Sequence, residues 1–128
     1  MKAAYIDTSS VLAVYLLEPG HRKVLDALDK YDEILSSNLL EAELRSAMLR
    51  EGFESPDLDL LERLVWVLPS RPLSGELSTV LSAGYLRGAD LWHLACALYV
   101  RGSHNGVEFV TLDRRQLEVA VRLGFESV

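Results

Sequence analysis

AAYIDTSS, residues 3–10, decides how the rest of the chain is read. Ala3-Ala4-Tyr5-Ile6 is continuously apolar, the pattern of a strand buried on both faces. Asp7 follows it directly, ahead of three hydroxyls, and Val11 to Leu17 then reads as a helix that stops at Pro19-Gly20. Strand, carboxylate and helix thus meet within a few residues, which raises the question of what the carboxylate does at such a junction.

Outward from this junction, strands and helices go on alternating. A helix is expected over His21 to Asp29, with Val24, Leu25 and Leu28 as its stripe, then a short strand at Glu33 to Ser36. A helix follows from Asn38 to about Arg50, where Asn38 and Glu41 are spaced as a capping box. Pro56 suits a first helical turn ahead of the stripe Leu58, Leu61 and Leu64. Val65 to Leu68 fits either a strand or the end of that helix. Glu76 to about Tyr85 and Asp90 to about Val100 read as helices separated by a turn at Gly88. Val107 to Leu112 is the clearest strand, and a helix from Arg114 to Leu123 completes the pattern. Such alternation implies a central, mainly parallel sheet in a three-layer α/β/α arrangement, with helices on both faces. Ligands bind such sheets beyond the carboxyl ends of the strands, where Asp7 and Asp113 both fall.

The composition bounds the function. A chain of 128 residues is expected to form a single domain, residues 1–128, with an ordinary globular balance of 49% hydrophobic and 25% charged residues. Its longest apolar run, Val11 to Leu17, is far short of the ~20 residues of a membrane span. No signal-peptide pattern precedes the first strand, so a cytoplasmic location is expected. Cys96 is the only cysteine, which excludes an intrachain disulfide and a cysteine-based zinc site. The net charge of −6 argues against a broad basic surface for nucleic acid.

Most of the acids need no special account. Glu41 has Ser37, Asn38 and Arg45 as helical neighbours, so it faces water and can pair with Arg45. Glu43 meets Leu39, Leu40, Leu44 and Ala47, and an ionised carboxylate buried there costs several kcal/mol without a cation or hydrogen bonds. A bound metal or substrate group, or a buried partner such as an arginine, would meet that need. Asp7, Asp90 and Asp113 each read as helix caps, a role worth only about 0.3–1 kcal/mol apiece from the helix dipole. If the four carboxylates converge, they repel unless a cation joins them, and an all-oxygen set suits magnesium or manganese better than zinc.

Four blocks carry a resemblance: YIDTSSVLAVYL, SSNLLEAELRSAM, LRGADLWHLACAL and FVTLDRRQLEVAVRLGF. In order and spacing they resemble the motif blocks of PIN-domain ribonucleases, and of VapC-type toxins of toxin–antitoxin pairs in particular. The resemblance runs from Lys2 to Phe125 and puts the family's acidic quartet on Asp7, Glu43, Asp90 and Asp113. It implies a PIN-like fold, cleavage of RNA phosphodiester bonds with Mg2+ or Mn2+, a cognate antitoxin as partner, and a homodimer. Apolar stripes at Leu58 to Leu64 and Val24 to Leu28 are available either to such a dimer or to the core. Thr8, Ser9 and Thr111 match hydroxyls that help hold the aspartates in relatives, and equally fit helix-start and strand positions. His93 matches a residue common in the family, and on an apolar helix face it reads as a packed, hydrogen-bonded histidine. Trp92 either packs or lines the cleft, and Arg45, Arg87, Arg114 and Arg115 are candidates for contacts to a nucleic-acid backbone. Where some relatives carry a further acid after the last aspartate, this chain has Arg114, Arg115 and Gln116.

Two rivals are weighed against this reading. An aspartyl phosphotransferase commonly wants a second acid two residues after the first, where this chain has Ser9. A phosphoacceptor domain wants a lysine at a later strand end, and Lys2, Lys23 and Lys30 all lie elsewhere. A catalytically inactive PIN-fold interaction module is the remaining alternative.

Overall fold

The computed structural model describes residues 2–54, 57, 59–104 and 106–127. The chain runs β1 (Ala3–Ile6), α1 (Thr8–Leu16), α2 (His21–Leu28), β2 (Glu33–Ser37), α3 (Leu39–Arg50), α4 (Leu60–Arg63) and β3 (Leu64–Val67). It continues through α5 (Ser74–Ala83), α6 (Gly88–Arg101), β4 (Glu108–Val110) and α7 (Arg114–Arg122). The four strands form one sheet in the order β3-β2-β1-β4, with every pairing parallel.

Period-two alternation divides the core into two layers. Ala3, Tyr5, Leu35, Val67 and Phe109 pack with Val80 of α5, Leu94 of α6 and Val119 of α7. Ala4, Ile6, Ile34, Leu64 and Val110 pack with Val11 of α1, Val24 of α2 and Leu40 of α3. Helices therefore cover both faces, and the result is a three-layer α/β/α fold. In the layer with α1, α2 and α3, Val24, Leu28 and Leu64 are buried in the core, whereas Leu25 is 43% exposed and Leu61 is only partly buried.

The chain steps from β1 to β2 to β3 in one direction, then crosses back to place β4 on the other side of β1. That reversal makes the carboxyl ends of β1 and β4 a topological switch point, the place where an open parallel sheet leaves a crevice. The register pairs Ile6 with Val110, so the next residues out, Asp7 and Thr111, share the mouth of that crevice.

Several local expectations need correction. The capping box does not form: Asn38 is helical in its backbone and makes no side-chain cap, and Ser37 Oγ accepts the Leu39 N–H at 3.1 Å instead. Gly88 is the first residue of α6 rather than a turn, with Arg87 as its extended N-cap. Asp90 therefore lies inside the first turn and is no cap. Of Val65 to Leu68, the first three residues are strand, since Leu64 caps α4 and opens β3, which ends at Val67. β4 is shorter than Val107 to Leu112 because pairing with β1 ends at Val110; beyond it Thr111 reaches Asp7, while Leu112 packs with the α1–α3 layer. Pro56 and Leu58 lie outside the described residues. No helix among the described residues is long and apolar enough to cross a membrane.

The connector between α5 and α6 lies close against α7. A Cβ at Gly84 would come within 2.9 Å of Val119 Cγ2 and 3.0 Å of an Arg115 guanidinium nitrogen. Val119 is β-branched and fully buried, so it cannot swing aside. Gly84→Ala is expected to destabilise the protein by about 1–3 kcal/mol, the usual cost of overpacking, read as a lower urea midpoint at unchanged slope.

Candidate active site

Asp7 ends β1 and caps α1. It is 2% exposed, yet it is surrounded by donors. Ser9 Oγ donates to its Oδ2 at 2.6 Å, Thr111 Oγ1 donates to the same oxygen at 2.9 Å, and the Ser10 N–H reaches Oδ1 at 3.2 Å. Burial pushes the Asp7 carboxyl above the ordinary aspartate value, and the hydrogen bonds from Ser9, Ser10 and Thr111 oppose it. Two of these donors are local to the helix start. The third comes from the end of β4, 104 positions further along the chain, and it is in place because β1 and β4 are paired.

Asp113 caps α7, accepting the Gln116 N–H on Oδ1 at 2.8 Å, while its own N–H donates to Thr111 Oγ1 at 3.0 Å. Gln116 is fully buried and joins three segments. Its backbone binds Asp113, its Nε2 donates to the Asp90 carbonyl at 3.1 Å, and its Oε1 faces Thr111 Oγ1 at 2.9 Å. The Thr111 hydroxyl has one proton for two acceptors, Asp7 Oδ2 and Gln116 Oε1. An ionised Asp7 takes it, because a charge-assisted bond is about twice as strong as a neutral one.

Asp90 projects from the first turn of α6 toward the same crevice. Burial raises its carboxyl above the ordinary value, and the charges of Asp113 and Asp7 raise it further, with His93 and Arg87 acting in the opposite sense. Asp90 thus lies within reach of the charges of both Asp7 and Asp113, which come from two other segments. Among the described residues, no group of three or more His, Cys, Asp or Glu side chains is drawn together tightly enough to form a ready-made metal site. The donor set nevertheless matches a hard divalent ion in kind, being carboxylate and hydroxyl oxygen throughout.

Glu43, on α3, is held differently. Thr8 Oγ1 donates to its Oε1 at 2.7 Å, and His93 Nε2 lies 3.1 Å from the same oxygen. An ionised carboxylate only accepts, so His93 carries its proton on Nε2, which Thr8 Oγ1 also shares at 3.0 Å. His93 Nδ1 then accepts from the Tyr5 hydroxyl at 2.7 Å, and that phenol oxygen accepts the Ser37 N–H at 2.9 Å. The hydrogen bond from His93, joined by that from Thr8, holds the Glu43 carboxyl below its ordinary value against the opposing effect of burial. The compensation that Glu43 requires is therefore supplied within the chain, by a histidine and a threonine rather than an arginine.

The remaining candidates fall into place around these four acids. Glu41 pairs with Arg45 at 2.7 Å. Trp92 is packed, its indole N–H donating to Ser37 Oγ at 2.9 Å. Cys96 is buried, and burial pushes its thiol up to about 12, which leaves it inert as a nucleophile. Gln116 escaped notice in the sequence, although a signal was present. It stands on the stripe with Val119, Ala120 and Leu123, where a polar side chain needs a partner just as Glu43 does.

With the geometry in place, the comparisons add a family. The family model of the PIN domain matches residues 4–122, and the chain belongs to that family. Its fold is accordingly one of nuclease type, a class of hydrolases that act on nucleic acids. No curated protein matches the sequence.

The burial of Asp7 has a consequence for stability. A carboxyl whose folded pKa is raised contributes stability at low pH, and that contribution is lost as pH rises from the unfolded value through the folded one. Asp7→Asn removes the titration and keeps a good capping residue. Without added metal, the variant is expected to match the parent most closely near pH 4 and to become relatively more stable toward pH 8. Urea unfolding of both proteins across that range checks the sign, and a gap that widens on acidification contradicts it.

Proposed function

We propose that this chain is a divalent-metal-dependent ribonuclease and the toxin component of a VapBC-type toxin–antitoxin pair. The observation that carries the reading is the hydrogen-bond network at the switch point of the sheet, in which Thr111 and Gln116 link the Asp7 carboxylate, Asp113 and the backbone of Asp90. Membership of the PIN family supports it. The ion, Mg2+ or Mn2+, would be held by Asp7, Asp90 and Asp113, and what it supplies when bound is Lewis acidity toward phosphate oxygens and water.

The chain's own groups do the rest. Ser9, Ser10 and Thr111 fix the Asp7 carboxylate, and Gln116 ties the backbone of Asp90 to Thr111 and Asp113. Glu43 stays ionised at neutral pH through His93 and Thr8, with its Oε2 available to accept a hydrogen bond from an attacking water. In-line attack on phosphorus needs no 2′-hydroxyl, so the preference for RNA rests on the family resemblance. A basic segment of a cognate antitoxin suits the acidic crevice, and a cytoplasmic homodimer is part of the same proposal.

One observation favours the second reading, a catalytically inactive interaction module. The acids are not gathered at chelating distance among the described residues, and Glu43 is already satisfied internally. Incubation of the protein with end-labelled RNA over a Mg2+ titration separates the two. The ribonuclease reading expects cleavage that depends on Mg2+, stops with chelator and falls more than about 100-fold in Asp7→Asn. Near-normal cleavage by a folded Asp7→Asn protein would remove Asp7 from the machinery, and no cleavage at any metal concentration leaves the inert module.

A further inference from the structure

A recess opens beside the acids and shares two of them. It has a volume of about 240 Å³ and is lined by Tyr85, Leu86, Arg87, Asp90, Asp113 and Arg115. Two of the lining residues are the carboxylates just described. The others come mainly from the connector between α5 and α6, whose backbone is extended at both Gly84 (φ 167, ψ 156) and Arg87 (φ −74, ψ 163).

The connector is anchored from three sides. Leu86 is 4% exposed and sits in the core with Val80 and Leu94. Arg115 Nε donates to the Tyr85 carbonyl at 3.2 Å, and Arg122 donates to the Ala83 carbonyl at 3.0 Å. In extended chain, alternate residues point to opposite sides. With Leu86 turned inward, Tyr85 and Arg87 are turned outward together, two residues and roughly 7 Å apart along the chain. Tyr85 is 69% exposed, and its hydroxyl has no hydrogen bond among the described residues. Arg87 is likewise exposed, with neither an ion pair nor a side-chain hydrogen bond among the described residues, although its charge reaches Asp90. Arg115 differs, being engaged by Tyr85 and, at 3.5 Å, by Glu118.

The anchored connector thus presents an exposed aromatic ring two residues from a guanidinium that has no ion pair among the described residues. The ring offers a flat apolar face to a base, and the guanidinium offers a bidentate fork to a phosphate. Their separation along the connector is comparable to that between a base and the phosphate of the same nucleotide. We propose that this recess is a nucleotide subsite, in which Tyr85 carries one unpaired base and Arg87 holds the phosphate beside it. The subsite rests on the ribonuclease reading for its place next to the reacting phosphate. Its consequence is a requirement for a splayed base at a fixed step from the scissile bond, because a base within a duplex cannot stack on a protein side chain.

The test uses the full chain, a fluorescein-labelled ten-nucleotide RNA and the same strand annealed to its complement, both in chelator so that nothing is cut. Tyr85→Ala is expected to weaken binding of the single strand roughly tenfold, and Tyr85→Phe to restore it, since the stack uses the ring rather than the hydroxyl. Duplex binding is expected to be unchanged by either substitution. Arg87→Ala is expected to weaken single-strand binding and to lower the slope of log affinity against log salt by about one. Tyr85 is largely exposed, so neither substitution endangers the fold.

Equal single-strand affinity in the parent and Tyr85→Ala overturns the subsite, as does an equal loss on duplex. Cleavage in Mg2+ separates this outcome from the fate of the ribonuclease reading. If the parent cuts RNA and Tyr85→Ala binds and cuts as well as the parent, only the subsite fails. If the parent cuts nothing while Tyr85-dependent binding persists, the ribonuclease reading fails and the nucleotide site stands.

Discussion

The structure turns on a carboxylate kept out of water at the end of the central strand. Asp7 can be buried there only if hydrogen-bond donors replace its hydration. One of the three comes from Thr111, just beyond the last strand, and so depends on the register of β1 against β4. Side-chain direction alternates along a strand, so a slip by one residue would present Val110 or Leu112 to the carboxylate in place of a hydroxyl. Polar satisfaction at Asp7 and apolar alternation in the two core layers therefore enforce the same pairing. Tyr5 and Phe109, stacked with centroids 5.6 Å apart on adjacent strands, belong to that agreement.

The four acids are held in contrasting ways, and the contrast separates their chemistry. Asp7 and Asp90 are raised toward the neutral form by burial, Asp90 also by its neighbours' charge. Glu43 is lowered by donors that the chain itself provides. Groups of the first kind gain most when a positive charge arrives, while a group of the second kind is already a settled anion. Environments that push similar side chains apart are how one crevice can house both a cation-binding set and a hydrogen-bond acceptor. Behind Glu43, the line through His93 to Tyr5 reaches the middle of the sheet, so the orientation of this acid is tied to the packing of the core.

Much of the fold was legible because its signals are local. The apolar run before Asp7, the stripe of α2 and the strand ending at Val110 depend only on near neighbours, and they placed both switch-point aspartates. The capping box at Asn38 and the cap role for Asp90 misled for one shared reason. In each case an earlier residue takes the role: Ser37 supplies the oxygen that Asn38 was expected to supply, and Arg87, three residues before Asp90, is the N-cap of α6. The Tyr5–His93 and Thr111–Gln116 bonds were invisible for a different reason. A hydroxyl on an apolar strand or an amide on an apolar helix announces an unmet need, but its partner lies on another element and leaves no mark in local spacing. Glu43 was singled out by that need, and the same test applied to Gln116 would have found it.

The parallel pairing of the first strand with the last also sets an order of events during synthesis. Asp7 leaves the ribosome some hundred residues ahead of Thr111 and Asp113. Contacts this distant along the chain carry a larger loop-closure cost than helices or the β1–β2 pair do. A nascent chain lacking β4 has an open edge at β1 and a carboxylate without its full set of donors, so it carries no assembled crevice.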